Sequence, residues 1–225
     1  MLSVNDLAIN FGSTTVFDHL SFQVDQGDFL AVIGVNGVGK TTLIKTILGQ
    51  LKPTAGTIET NPPQLKIGYV PQFRNLDSEY PLTIADFVSL NFTGWKLPWL
   101  SKKERQRVQT VIKQLELTPI ANRPLGRASG GEKQKAYLAQ ALVAEPNLLI
   151  LDESTASLDP TTKQELLRVV KDLNQRLGLT IIFISHDMEL VNEYPNKYLW
   201  LRSDGYSQGP IAELEMKLRG GEADV

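Results

Sequence analysis

The sequence contains no cysteine. It therefore has no disulfide framework, no thiolate nucleophile and no cysteine-based metal site. Histidine is nearly missing too: His19 and His186 are the only two, and no metal-ligand cluster is visible. No charge of one sign predominates. The formal net charge is −2 over 225 residues, so no general basic field points to nucleic acid, although a local patch is compatible with that average. No window approaches 18 uninterrupted apolar residues, so the chain is not expected to span a bilayer by itself. The opening residues alternate (Leu2, Val4, then Leu7, Ile9, Phe11) and lack the basic-then-apolar layout of a secretory leader. What is present is ample core material, with 42% hydrophobic residues and an ordinary 21% charged. Such a length suits one large domain, or one domain with a smaller lobe.

One stretch organises the rest. Gly34-Val35-Asn36-Gly37-Val38-Gly39-Lys40-Thr41-Thr42 fits the P-loop pattern of Gly, four residues, then Gly-Lys-Ser/Thr. The apolar run Phe29–Ile33 precedes it, as a strand buried on both faces would. Leu43, Ile44, Ile47 and Leu48 follow at helical spacing, with Gly49 placed to end the helix. Glycines let the backbone curl so that successive N–H groups at a helix N-terminus face a phosphate. Lys40 is a point charge for the β- and γ-phosphates, and Thr41 offers a hydroxyl to Mg²⁺. Accident would place the four fixed residues together in roughly 1% or less of chains this long. A dinucleotide fold fits poorly, because the order is G-x-x-G-x-G.

Ahead of the P-loop, short strands are predicted at Leu2–Val4, Leu7–Phe11, Leu20–Val24 and Phe29–Ile33. Phe11 has two equal readings, as a platform for an adenine ring or as core. Ile67–Val70 reads as a strand running into Pro71-Gln72. Thr83 caps a short helix with Ile84, Phe87 and Val88, and Ser101–Glu104 is a capping box before Val108, Val111, Ile112 and Leu115. Residues 76–125 thus read as a helical lobe inserted into an α/β core. Phe92, Trp95 and Trp99 either line a partner groove there or pack the lobe.

Ser129-Gly130-Gly131-Glu132 is a second capping box, whose glycines would let a phosphate approach the helix end. Leu148–Leu151 is a buried strand ending in Asp152 and Glu153, at the edge where α/β sheets bind ligands. There Asp152 suits Mg²⁺ and Glu153 can polarise a water. Asp159-Pro160 starts a long helix that stops at Gly178, and the strand Leu179–Ile184 delivers Ser185-His186-Asp187 to the same crevice. Lys197–Leu201 with Ser203–Ser207 predicts a hairpin, followed by a short helix from Ile211. The tail 220–225 is expected to be mobile. His19 receives no role.

In this order the P-loop, Gln72 after Tyr69-Val70-Pro71, Ser129–Glu132, Leu148–Glu153, Ser157-Leu158-Asp159 and His186 resemble the ATP-binding subunits of ABC transporters over nearly the whole chain. The resemblance implies one ATPase domain over 1–225 with 76–125 as an inserted helical subdomain. It also implies a mainly parallel P-loop NTPase core with an antiparallel N-terminal β portion. ATP and Mg²⁺ are the implied ligands. Gly34, Asn36, Gly37, Gly39, Lys40, Thr41 and Thr42 would hold the nucleotide, and Phe11 or Val16 would sit near the adenine, Phe11 being the better stacker. Thr41, Gln72 and Asp152 would serve Mg²⁺. Gln72 would also touch the attacking water, Glu153 would activate it, and His186 would hold the γ-phosphate and orient the water. Ser129, Gly130, Gly131 and Glu132 would meet the γ-phosphate held by a second copy, with Asp159 at the seam. Four positions depart from the family: Ala128 for Leu, Glu132 for Gln, Val35 for Pro, and Ser154 for the Pro after the base. None removes a phosphate ligand or the base.

Tyr69–Gln72, Asp77 and Pro81–Val88 look most like the ATPases of zinc and manganese importers. Implied partners are a second copy sandwiching two ATP, integral membrane permease subunits and an extracytoplasmic binding protein. No nucleic acid is expected, and the implied address is the cytoplasmic face of the membrane, peripherally. A transporter subunit for another substrate and a soluble ABC-type ATPase on ribosomes or DNA stay open. The latter usually joins two ATPase units or long coiled coils, which this chain lacks. A GTPase needs Asn-Lys-x-Asp, and Asn196-Lys197-Tyr198-Leu199 lacks the Asp.

Overall fold

The computed structural model describes residues 1–72, 81–92, 99–155 and 158–219. Asp77, Trp95, Ser157 and the 220–225 tail lie outside the described residues. An antiparallel sheet is built from β1 (Leu2–Phe11), β2 (Thr14–Val24) and β4 (Ala55–Thr60) in the order β2-β1-β4. β1 is one strand where two short ones are predicted, because a bulge interrupts its alternation. Val4 pairs with Phe22 and Leu7 with Leu20, so β1 carries one residue more than its partner across this step. That extra residue returns Leu7 and Ile9 to the face already used by Leu2 and Val4, and all four are buried. Asp6 there has φ of 50°. β4 escapes a periodicity reading because only Ile58 and Ala55 are apolar in it. Its Gly56 is required by the bulge, since a Cβ would stand 2.3 Å from the Asp6 carbonyl oxygen.

The second sheet has six strands in the order β5-β6-β7-β3-β8-β9. They are β3 (Phe29–Ile33), β5 (Ile67–Val70), β6 (Leu148–Asp152), β7 (Thr180–Ile184), β8 (Lys197–Arg202) and β9 (Gly205–Pro210). The first five run parallel and β9 returns antiparallel to β8. β3, β6 and β7 are buried at every residue, which is why they read as near-continuous apolar runs, broken only by Asp152 at the end of β6 and Thr180 at the start of β7. The segments that leave β3, β5, β6 and β7 therefore emerge along one edge. They carry the P-loop, Gln72, Glu153 and His186 respectively.

Helix α1 (Lys40–Ile47) packs with both sheets in one core, which includes Leu43, Ile44, Leu30 and Ile182. The other face of the large sheet is covered by α4 (Gly130–Val143), α5 (Pro160–Leu177), α6 (Met188–Glu193) and α7 (Ile211–Arg219). Between β5 and α4 the chain inserts α2 (Ile84–Ser89), α3 (Lys102–Gln114) and two 3-10 turns, Thr118–Ile120 and Leu125–Arg127. Phe87 of α2 meets Tyr137 of α4 edge-on, with centroids 5.0 Å apart. The aromatic trio divides: Phe92 packs against the core, while Trp99 is 65% exposed.

Asn174 is buried on α5, and its Nδ2 donates to the carbonyls of Gly27 (2.9 Å) and Leu179 (2.7 Å). It ties the helix to the turn before β3 and to the approach to β7. Asn174→Leu keeps the volume but strands two carbonyls. It should cost about 2 kcal/mol, a fall of roughly 4–8 °C in melting temperature. Calorimetry of the two proteins checks this.

Candidate active site

The P-loop leaves β3 through three positive-φ glycines, two of which also have no room for a side chain. A Cβ on Gly34 would lie 2.4 Å from the Leu201 carbonyl oxygen, and one on Gly39 2.6 Å from both Phe17 and Val16. Gly37 has open space around it. Gly39 is the N-cap of α1 and provides no side-chain cap, and the first turn carries no acid. By contrast, Thr83, Ser101, Ser129 and Asp159 cap α2, α3, α4 and α5 with their side chains. The N-terminus of α1 is thus left as an anion site, with Thr41 and Asn36 exposed beside it.

Lys40 is only 6% exposed, and its Nζ donates to the carbonyls of Gly34 (2.6 Å) and Val35 (3.0 Å). Burial pulls its pKa down, against the upward pull of Glu153 and Asp152. Asp152, 8% exposed, shows the mirror image. Burial drives its carboxyl upward, opposed by a hydrogen bond from the Tyr69 hydroxyl (2.9 Å). The Glu153 charge raises it further and Lys40 lowers it. A bound anion beside Lys40 and a cation beside Asp152 would each reverse the shift that burial imposes. One carboxylate and a threonine hydroxyl suit Mg²⁺, which keeps waters and takes phosphate oxygens for the rest of its shell. The residues fit Mg-ATP.

Glu153 follows β6 with φ of 45°, its N–H held by the Ile184 carbonyl (3.1 Å). This left-handed turn aims the side chain along the sheet edge. Oε2 accepts from Nε2 of Gln72 (2.8 Å), and Oε1 lies 2.6 Å from Nε2 of His186. Glu153, Thr155, Ser185, His186, Asp187 and Lys163 line a cleft of about 310 Å³.

The predicted residues fall into two groups. P-loop, Gln72, Asp152, Glu153 and His186 gather at the sheet edge. Ser129–Glu132 and Asp159 form another at the facing starts of α4 and α5, where a Cβ on Gly131 would stand 2.5 Å from Thr162 Cγ2. Gly131 therefore has a packing reason within its own chain. Ser129 and Glu132 cap each other reciprocally, and Asp159 accepts from the Thr162 N–H (3.1 Å) and hydroxyl (2.6 Å). Phe11 is 53% exposed at the tip of the β1–β2 hairpin, which excludes the core reading. The hairpin's Val16 touches the P-loop at Gly39.

Ala128 is buried, and so is Ser154, whose hydroxyl finds no partner among the described residues. Tyr69, whose hydroxyl reaches Asp152, is a site residue that the sequence does not single out. The only signal for it was a polar-tipped aromatic in a short strand, three residues before Gln72.

A P-loop fed by a buried parallel sheet, with a paired carboxylate site beside it, defines a nucleoside-triphosphate hydrolase of the α/β class. Residues 17–156 match the ABC transporter family. The chain is 34% identical over 201 residues to the zinc import ATP-binding protein ZnuC of Yersinia enterocolitica, covering 89% of this chain and 76% of that one. It is 30% identical over 235 residues to the zinc uptake system ATP-binding protein ZurA of Listeria innocua, covering 100% and 91%. Among solved structures, an inward-facing ABC transporter described as of metal-chelate type superposes with TM-score 0.84 at 32% identity, covering 94% of this chain and 83% of that one. CbiO1 of Clostridium perfringens, part of an ABC transporter complex, gives 0.84 at 29%, covering 96% and 90%. The chain belongs to the ABC transporter family, as an ATP-hydrolysing nucleotide-binding subunit.

Asp152 allows a test of the electrostatics. Its folded pKa is raised, so the folded state holds this proton more tightly than the unfolded chain does. The ionised group therefore costs stability, none below the unfolded carboxyl's pKa and most once pH has risen through the folded one. Asp152→Asn should raise the melting temperature of the nucleotide-free protein at pH 7 while abolishing ATP hydrolysis. The gain should vanish towards pH 3. Melting curves across pH, alongside phosphate release, check both halves.

Proposed function

We propose that this chain powers uptake of a divalent metal ion such as zinc or manganese. It would act as a pair of identical copies with two ATP between them, docked on permease subunits at the cytoplasmic face of the membrane. An extracytoplasmic binding protein would deliver the ion. Supporting the cargo are the zinc-import and zinc-uptake names of the relatives. In keeping with peripheral attachment, no described helix is long and apolar enough to cross a membrane. We further read 1–225 as one ATPase domain, with 76–125 as its helical subdomain.

The observation that carries the chemistry is the Glu153 carboxylate, bracketed by Gln72 and His186. Lys40, the α1 N–H groups and the P-loop amides bind the phosphates, and Phe11 stacks on the adenine. Mg²⁺, held through Thr41 and Asp152 with Gln72 nearby, would neutralise charge on the phosphate oxygens. Glu153 takes the proton of the attacking water, while Gln72 and His186 fix the direction of its two oxygens. His186 is then placed to meet the γ-phosphate. Ser129, Gly130, Gly131 and Glu132, with Asp159, face the nucleotide of the second copy.

E153Q keeps the size of the side chain and one acceptor oxygen but loses the base. Single-turnover hydrolysis should fall ~10²- to 10⁴-fold with ATP affinity nearly unchanged. The mutant should accumulate as an ATP-bound dimer on size analysis. Hydrolysis within about threefold of wild type would remove Glu153 from the chemistry. The cargo is checked separately, in cells that carry the chain with its permease. K40A should abolish uptake of radioactive zinc or manganese, and uptake equal to wild type would end the import reading.

A further inference from the structure

Glu132 stands where the family commonly has Gln, and its carboxylate is fully engaged. Oε2 accepts from the Ser129 N–H at 2.7 Å. Nη1 of Arg123 donates to both oxygens, at 3.2 Å and 3.0 Å. Arg123 lies outside α4, in the turn that leads towards it. Its own carbonyl accepts from the Ile84 N–H (3.1 Å) at the start of α2, and its neighbour Pro124 bridges Thr83. The guanidinium is therefore placed from the helical insertion and not by α4 itself.

A carboxylate in the first turn of a helix suits that helix, whose N-terminus is the positive end of its dipole. The same charge repels any anion that approaches the same end. Gln at this position would cap Ser129 without that conflict. We propose that Arg123 is a positioning residue that neutralises Glu132, so that the N-terminus of α4 accepts the phosphate of a nucleotide held by a second copy of this chain. This rests on the reading above that Ser129–Gly131 face the partner's nucleotide. Arg123 touches no phosphate; it acts through Glu132. A purely structural tie would behave differently, because its loss would lower the melting temperature along with dimerisation.

The test uses the full chain carrying E153Q, with Mg-ATP, and reads the monomer–dimer equilibrium by light scattering. Adding R123A should weaken ATP-dependent dimerisation on the order of 100-fold, about tenfold at each of two sites. Adding E132Q to R123A should restore it to within about threefold. The R123A defect should also shrink in 0.5 M salt (roughly a 4 Å screening length). Binding of fluorescent ATP to the monomer should stay within about twofold, and melting within about 2 °C, since exposed ion pairs contribute little to stability. An R123A protein that dimerises as well as its parent, or that E132Q fails to restore, overturns the role of Arg123. S129R separates the two readings. Its loss of dimer beside an intact R123A dimer overturns Arg123 alone. An intact S129R dimer, or a parent that stays monomeric with ATP, overturns the underlying reading and this one with it.

Discussion

Burial of Lys40 beside Asp152 and Glu153 is the constraint on which the site depends. An isolated buried ion costs several kcal/mol, so each of these groups must be compensated by its neighbours. The Gly34 and Val35 carbonyls take two of the three Lys40 protons, and Tyr69 supplies a donor to Asp152. The compensation is incomplete, since both Lys40 and Asp152 are still pushed towards their neutral forms. A polyanion with its cation supplies the charges that finish it. Binding of Mg-ATP and relief of desolvation are in that sense one event.

The sheet makes this arrangement affordable to hold in place. β3, β6 and β7 are adjacent, parallel and buried at every residue, so their ends cannot drift relative to one another. Strain is concentrated one residue further on, at Glu153, whose left-handed backbone costs of order 1 kcal/mol or more. The Ile184 carbonyl fixes that turn, and the turn in turn carries the carboxylate to Gln72 and His186. Residues 81 positions and 33 positions away in sequence become neighbours of one carboxylate.

The second group, on α4 and α5, is built by different means. Here side-chain caps, a glycine pressed against Thr162 and an ion pair set the geometry, with no buried charge at its centre. The Ile84–Arg123 and Leu125–Leu82 backbone bonds hold the insertion together, and Arg123–Glu132 with the Asn91–Gln140 and Gln140–Phe87 bonds tie it to α4. Displacement of α2 would therefore be felt at the Arg123 end of this group, while Gln72 at the foot of β5 sits on the sheet-edge group.

Local chemistry was legible directly from the sequence. Phe29–Ile33, the P-loop and α1 declare themselves because strand burial, glycine conformations and helical spacing are properties of neighbouring residues. The capping boxes at Ser101 and Ser129 and the Asp159-Pro160 start are legible for the same reason. β4 and the continuity of β1 were not, since a bulge and a mostly exposed strand erase the alternation that periodicity needs. Nor could the sequence decide between core and surface for Phe11, or place the Tyr69 hydroxyl on Asp152 and the Arg123 guanidinium on Glu132. Those pairings depend on strand order, the register of β5 on β6 and the path of the inserted helices. Residue types and spacings set which groups could do chemistry; packing between distant segments set which of them meet.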